Sequence, residues 1–344
     1  MNNFKKMGMT ALAASLVSTS VFAGEMAVSG SATVAYEIYS GTDQSGSKSF
    51  SMGNQLTFTG SGELDNGMNV ALSFVLDQND DKAADDQTTV GSYNAGSPFD
   101  SHSVTISSDA MGTFKFQGEG GDSAQNAVGD TAAGNIWDNF DSAATVLKES
   151  GAGDNTMHYT LPTFVDGVAV AVSYNANSGQ DESNSAYSLV YTGVEGLTLS
   201  YGHGSSDGDA ARALTVAGQA TSLTDGNADT TSMKASYVYG AVTLAYSDHE
   251  HDAAKVDGTN DQDATSWKVS YTVSDAISVS YGSEEIDSKA STTNVDAEYT
   301  KISTSYTAGG MTIAANYQEA ENIDFSTAVA QDKEYIGLSL SFAF

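Results

Sequence analysis

Few residues in this chain are arranged for covalent chemistry, and many are arranged for electrostatics. Gly204-Ser205-Ser206-Asp207-Gly208 matches the Gly-x-Ser-x-Gly spacing of a serine nucleophile, with His203 beside it. That chemistry needs a sharp strand-to-helix turn to lift the hydroxyl, and here a polar stretch follows a strand-like run, so the match is a chance one. His249-Glu250-His251-Asp252 would present two imidazoles on one face of a strand, but a zinc site needs a third or fourth ligand that cannot be assigned. The acidic runs Asp77 to Asp86 and Asp257 to Asp263 offer oxygen ligands for Ca²⁺ or Mg²⁺. Neither follows the spacing of a calcium loop, and solvated charge is the simpler reading. No catalytic residue and no cofactor is expected.

The remaining charged residues form a more coherent set. Between Gly118 and Asp154 lie the acids Glu119, Asp122, Asp130, Asp138 and Asp141. In the same segment Ile136, Phe140, Ala144 and Leu147 recur at near-helical spacing, which predicts a short amphipathic helix with Trp137 on its packed side. Asp138, Asp141, Thr145 and Lys148 share the other side. Lys115, His158, Lys234, Lys268, Lys301, Glu37 and Asp77 fall on inward positions of strand-like runs. Acids on the segment and lysines facing it would create a transverse field that orients dipolar solutes and penalises apolar ones. Such a field needs an enclosure, and the rest of the chain must supply its wall.

The wall is legible in the alternation. Glu334 to Phe344 reads Glu-Tyr-Ile-Gly-Leu-Ser-Leu-Ser-Phe-Ala-Phe, apolar at every second position, and the same period recurs from residue 26 onward. Sixteen runs can be placed, at about 26–39, 49–64, 67–78, 101–108, 112–118, 155–163, 166–176, 184–193, 196–205, 230–239, 241–249, 264–273, 276–284, 296–307, 310–319 and 334–344. Their connections alternate between short turns such as Asp65-Asn66-Gly67 and Ala308-Gly309-Gly310 and long acidic loops. Strict alternation of this kind predicts an all-β transmembrane antiparallel up-and-down barrel with the 118–154 loop folded into its lumen. A soluble sandwich has no reason for it. Outward rows such as Val168, Val170, Val172 and Tyr174, or Trp267, Val269, Tyr271 and Val273, would meet lipid, while small polar residues between them face inward.

Composition agrees. Residues 1–23 carry Lys5 and Lys6, an apolar stretch and a Val-Phe-Ala end, which predicts a secretory signal cleaved before Gly24 and a barrel over 24–344. The formal charge is −31, or −33 once the two leader lysines are removed, which excludes nucleic acid as a partner. Cysteine is absent, so ladder hydrogen bonds must hold the fold in place of disulfides.

On the leader, the sixteen alternating strands, the long third loop and the terminal Phe344, the chain resembles the general diffusion porins of Gram-negative bacteria, particularly the alphaproteobacterial type. The resemblance implies a water-filled homotrimeric channel narrowed by its third loop, and a C-terminal strand read by the barrel-assembly machinery. It places the chain in the outer membrane, multi-pass, with both termini periplasmic. Lipopolysaccharide would surround it, with loop-bound Ca²⁺ or Mg²⁺ as a bridge. The arginine ladder and the Pro-Glu-Phe-Gly motif of the better-known members are missing: the only arginine is Arg212, and the loop reads Gly118-Glu119-Gly120-Gly121. The expected function is passive diffusion of small hydrophilic solutes and ions with cation preference. The alternatives are a plugged structural or adhesive surface barrel and an outer-membrane hydrolase.

Overall fold

The computed structural model describes residues 24–41, 47–77, 101–140, 154–177, 182–207, 228–252, 261–288, 295–325 and 332–344. The leader 1–23, the second loop 78–100, Arg212 and most of both acidic runs lie outside them.

The strands are β1 (Glu25–Gly41), β2 (Ser47–Glu63), β3 (Asn69–Asp77), β4 (Ser101–Ser108), β5 (Gly112–Glu119), β6 (Thr156–Thr160), β7 (Val168–Asn177) and β8 (Glu182–Val194). They continue as β9 (Leu197–Asp207), β10 (Ala228–Tyr239), β11 (Val242–Asp252), β12 (Gln262–Ser274), β13 (Ile277–Ser288), β14 (Ala297–Ala308), β15 (Met311–Glu321) and β16 (Lys333–Ala343). Each pairs antiparallel with its neighbours in the chain, and β1 pairs with β16, so the sheet is a closed barrel. At the seam Gly30 and Phe344 exchange backbone hydrogen bonds of 2.8 and 2.9 Å, and the hydroxyls of Thr33 and Ser341 meet at 2.8 Å. Within hydrocarbon an unpaired N–H or C=O costs several kcal/mol, and closure leaves no edge strand to expose them.

Alternation sorts the side chains. Trp267, Val269, Tyr271 and Val273 all face outward and are exposed, whereas Ser266 is buried on the inside. Outward tyrosines at Tyr174, Tyr187, Tyr246 and Tyr281 form a girdle towards the long-loop end, where a ring keeps its body in lipid and its hydroxyl at the headgroups. Above them the outward positions turn acidic. Glu250, Asp263 and Asp287 are successive register partners, as are Glu285, Glu298 and Glu321. Asp296, just before β14, is held above the usual carboxylate range by partial burial and by the charge of Asp287.

The sequence expectation of a sixteen-stranded barrel is met, and the strand ends move for physical reasons. β6 stops at Thr160 and not near 163, because Pro162 has no N–H for the ladder; Leu161 donates the last bond, to Val170 O at 3.0 Å. β11 runs on to Asp252 and β13 to Ser288, beyond the expected ends at 249 and 284. Charged residues there stand on strand faces and do not mark a loop.

An arginine at Val269, in the outward band between Trp267 and Tyr271, is expected to cost about 2–4 kcal/mol of barrel stability, whereas one at the inward Ser270 should cost less than about 1 kcal/mol. Urea unfolding of the two variants in lipid vesicles, followed by tryptophan fluorescence, measures the difference.

Candidate functional site: the inner-wall segment

After β5 the chain turns inward and lines the barrel. A first 3-10 turn, Ala124–Ala127, sits against β7, β8 and β9, and a second, Ile136–Phe140, against β13 to β16. The segment between them follows the wall closely. Ala124 N–H donates to Ser173 Oγ at 2.8 Å, Ala132 N–H to Ser247 Oγ at 2.8 Å, and Ala133 N–H to Ser266 Oγ at 2.9 Å. Inward serines thus supply the partners that a non-repetitive backbone needs once it is buried. Gln125 reaches Thr230 O and Ser232 Oγ.

From Asp130 to Phe140 the segment tracks a single rung of the barrel. Lys234, Ser247, Ser266, Glu284, Tyr299, Ala320 and Lys333 are successive register partners from β10 to β16. Lys234 Nζ donates to Asp130 O at 2.7 Å at one end, and Lys333 Nζ to Phe140 O at 3.4 Å at the other. Midway, the Glu284 carboxylate is 1% exposed and accepts the Thr131 hydroxyl and the Trp137 N–H. One buried carboxyl thus grips the segment at both Thr131 and Trp137, which makes Glu284 the principal clasp. Beyond it Asn139 bonds Gln318 at 3.1 Å.

Apolar packing completes the attachment. Ile136 and Phe140 are 0% and 2% exposed and enter a socket of inward apolar residues that includes Ala264, Ile286, Ala297, Tyr299 and Ala320. The Phe140 and Tyr299 rings lie 6.0 Å apart. Two glycines let the segment approach: a Cβ on Gly202 would stand 2.9 Å from Gln125 Cγ, and one on Gly282 would stand 2.8 Å from Ala133 Cβ. The barrel's hydrophobic core therefore lies inside its lumen, between segment and wall.

The expected side chains fall as follows. Asp122, Asp130 and Asp138 are all exposed on the free side of the segment. Ile136 and Phe140 pack on the wall as expected, but the described part of the predicted amphipathic helix is a 3-10 turn of five residues. Asp141, Ala144, Thr145, Leu147 and Lys148 lie outside the described residues. Glu119 stands apart from these acids, with its carboxylate 3.8 Å from His102 Nδ1 where a bulge interrupts the β4–β5 ladder. Glu37 accepts the Tyr335 hydroxyl at 2.9 Å and the Ser49 hydroxyl at 3.4 Å. Asp77 ends β3 opposite Gln55.

The lysines are placed differently from expectation. They do not face the segment across the lumen; they share its wall. Lys234 is bonded to it, and Lys268 and Lys301, both register partners of Gly282, stand on the next rung towards the short turns. Asp130 acts electrostatically on Lys234 and Lys301. Lys115 and His158 are register partners near the start of the segment, and Asp122 acts electrostatically on His158. Across the lumen, the inward rows of β2 to β4 carry hydroxyls such as Ser51, Thr57, Ser73, Ser103 and Thr105. The two histidines His249 and His251 do share the inward face, where their Nδ1 atoms meet Ser232 and Thr230 hydroxyls at 3.0 and 3.3 Å. No metal-ligand cluster occurs among the described residues.

Glu284 and the three serines are the site residues that sequence reasoning missed. Glu284 sat at the expected end of its strand and read as the start of a loop. Its signal was parity, since it lies two residues from Gly282 and Ile286 on one strand face.

A closed lipid-facing barrel, with its own acidic segment seated inside and hydroxyls on the facing wall, is built to pass solutes by diffusion. The match of the Gram-negative porin family model to residues 8–344 agrees, and the chain belongs to that family. It is a passive outer-membrane channel and not an enzyme. Solved structures of similar fold include the anion-selective porin from Comamonas acidovorans, at 14% identity and a TM-score of 0.67, covering 93% of this chain and 100% of that one. A Salmonella typhi OmpF in complex with daunomycin matches at 13% identity and a TM-score of 0.68, over 94% and 98% of the two chains. A mutant of Rh. blastica porin matches at 14% and 0.61, over 93% and 100%. No curated protein sequence matches the chain.

Replacing Glu284 with alanine removes two buried hydrogen bonds, and leaving such a donor without its acceptor costs about 1–3 kcal/mol. Amide exchange over 131–140 is expected to accelerate at least about tenfold, with exchange in β2 unchanged. Equal protection of 131–140 in both proteins would show that the apolar socket alone holds the segment.

Proposed function

We propose that the channel passes small hydrophilic solutes and ions with a preference for cations, and that the inner-wall segment sets that preference. The observation that carries this reading is the difference in exposure between the two signs of charge. Asp122, Asp130 and Asp138 stand exposed on the free side of the segment, whereas Lys234, Lys268 and Lys301 are partly buried against the wall, with the Lys234 ammonium occupied by the Asp130 carbonyl. A solute at the narrowing meets carboxylates first, and the lysines behind them moderate the field without reversing it. The net charge of −31 points the same way by concentrating cations at the mouth. Hydroxyls on the far wall replace solute hydration without adding charge.

The same reading includes a homotrimer in a lipopolysaccharide membrane with both termini periplasmic. Family membership supports it, as does the collection of long acidic connections at the barrel end opposite the termini. The first test is single-channel current in a planar bilayer under a KCl gradient. Current steps in threes with a cation-selective reversal potential are expected. The Asp130→Asn, Asp138→Asn double variant should lower the cation-to-anion permeability ratio about two- to fivefold, the weight of a unit charge acting across a few ångström of water. An anion-selective wild type would overturn the preference, and a folded barrel without conductance would overturn the open channel.

A further inference from the structure

Acid and lysines that share one wall have a chemistry that the same charges facing each other across a lumen would not have. Asp130 is exposed on the free side of the segment. On the rung that follows towards the short turns, Lys268 and Lys301 flank Gly282 as its two register partners. Ala133 takes the place of a Gly282 side chain, so the two lysines stand on either side of the segment's contact with the wall. Lys268 acts electrostatically on Lys234 and Lys301, and so does Asp130. One exposed carboxylate and these ammoniums therefore share a local field.

Opposite charges in one field ordinarily pair, and here they are held apart. Asn135 Nδ2 donates to the Asp130 carboxylate at 3.0 Å, while Lys234 takes the Asp130 carbonyl at 2.7 Å and leaves the carboxylate alone. Lys268 and Lys301 make no hydrogen bond and no ion pair among the described residues. Glu284, on the wall beside them, is 1% exposed and turned to Thr131 and Trp137. A carboxylate and ammoniums fixed near one another but unjoined form a dipole that needs no rearrangement to receive a complementary one. The next rung towards the short turns supports the positive end: Ser270, Ser280, Ser303 and Asn316 are successive partners that offer donors and no carboxylate, with the Ser280 and Ser303 hydroxyls 2.7 Å apart. In a chain with 44 acidic residues, that corner is where the negative end of a solute is best received.

A lone anion at the lysines is repelled by Asp130, and a lone cation at Asp130 is repelled by the lysines. A solute that carries both charges a few bonds apart satisfies both ends. We propose that this corner of the lumen binds zwitterionic α-amino acids, with the ammonium at Asp130 and the carboxylate at Lys268 and Lys301. The inference deepens the diffusion reading by naming a solute class, and it rests on that reading's exposed Asp130.

Saturation-transfer NMR on the purified protein in micelles reports alanine binding whether or not the channel conducts, so failure of the site and failure of the open channel are separate results. At neutral pH alanine should bind saturably. Lactate, which lacks the ammonium, and ethylamine, which lacks the carboxylate, should each need concentrations about two- to fivefold higher, the weight of one solvent-exposed charge pair. Alanine should lose affinity by the same factor in Lys301→Gln and in Asp130→Asn, whereas lactate should gain in Asp130→Asn, where the repelling charge is gone. Equal binding of alanine and lactate would reduce the corner to an anion site, equal binding of alanine and ethylamine would reduce it to a cation site, and either would overturn the proposal. So would an absence of alanine binding, or alanine binding undiminished in both variants.

Discussion

In hydrocarbon a peptide group has no partner except another peptide group, and everything in this molecule follows from satisfying that demand twice. On the outer circuit it is met by closing β16 onto β1, with Gly30 and Phe344 bonded reciprocally at the seam. On the inner circuit it returns as the cost of burying an irregular stretch of backbone against the wall. The chain answers with Ser173, Ser247 and Ser266, whose hydroxyls accept the N–H groups of Ala124, Ala132 and Ala133. The inner-wall segment is therefore positioned by the same backbone chemistry that makes the barrel, with side chains standing in for the missing strand.

Attachment along one rung explains why the polar and apolar parts of the segment divide as they do. One side of residues 130–140 is consumed by Glu284, Tyr299 and the alanines of the socket. Whatever cannot enter that socket is displayed to the lumen, and the displayed residues are Asp130 and Asp138. Charge display and anchorage are in this sense two faces of one short peptide, and a change in how it seats alters both.

The outer circuit was almost wholly legible in the sequence, because period-2 alternation is repeated on every strand and a one-residue slip would turn each row to the wrong solvent. The inner circuit was only partly legible. Ile136 and Phe140 announced a packed side, and Asp138 an exposed one. The wall that receives them gave less warning, since alanines and serines on an inward face look the same whether water or protein covers them. Glu284 was read as the start of a loop because charge on a strand end resembles a polar connection, and only the closed register shows that it still faces inward. The lysines were assigned the right face and the wrong opposite number: parity tells which side of a strand a residue occupies, not which part of the circumference a loop will choose.

The carboxylate rungs above the tyrosine girdle, Glu250 with Asp263 and Asp287, and Glu285 with Glu298 and Glu321, make the two rims of the cylinder unequal. To somersault, the barrel would have to drag those paired anions through oil, against a penalty that accumulates with each of them. Once inserted, the molecule has a heading. Its polarity is kept by the cost of reversal, and each copy holds the orientation in which it entered the membrane.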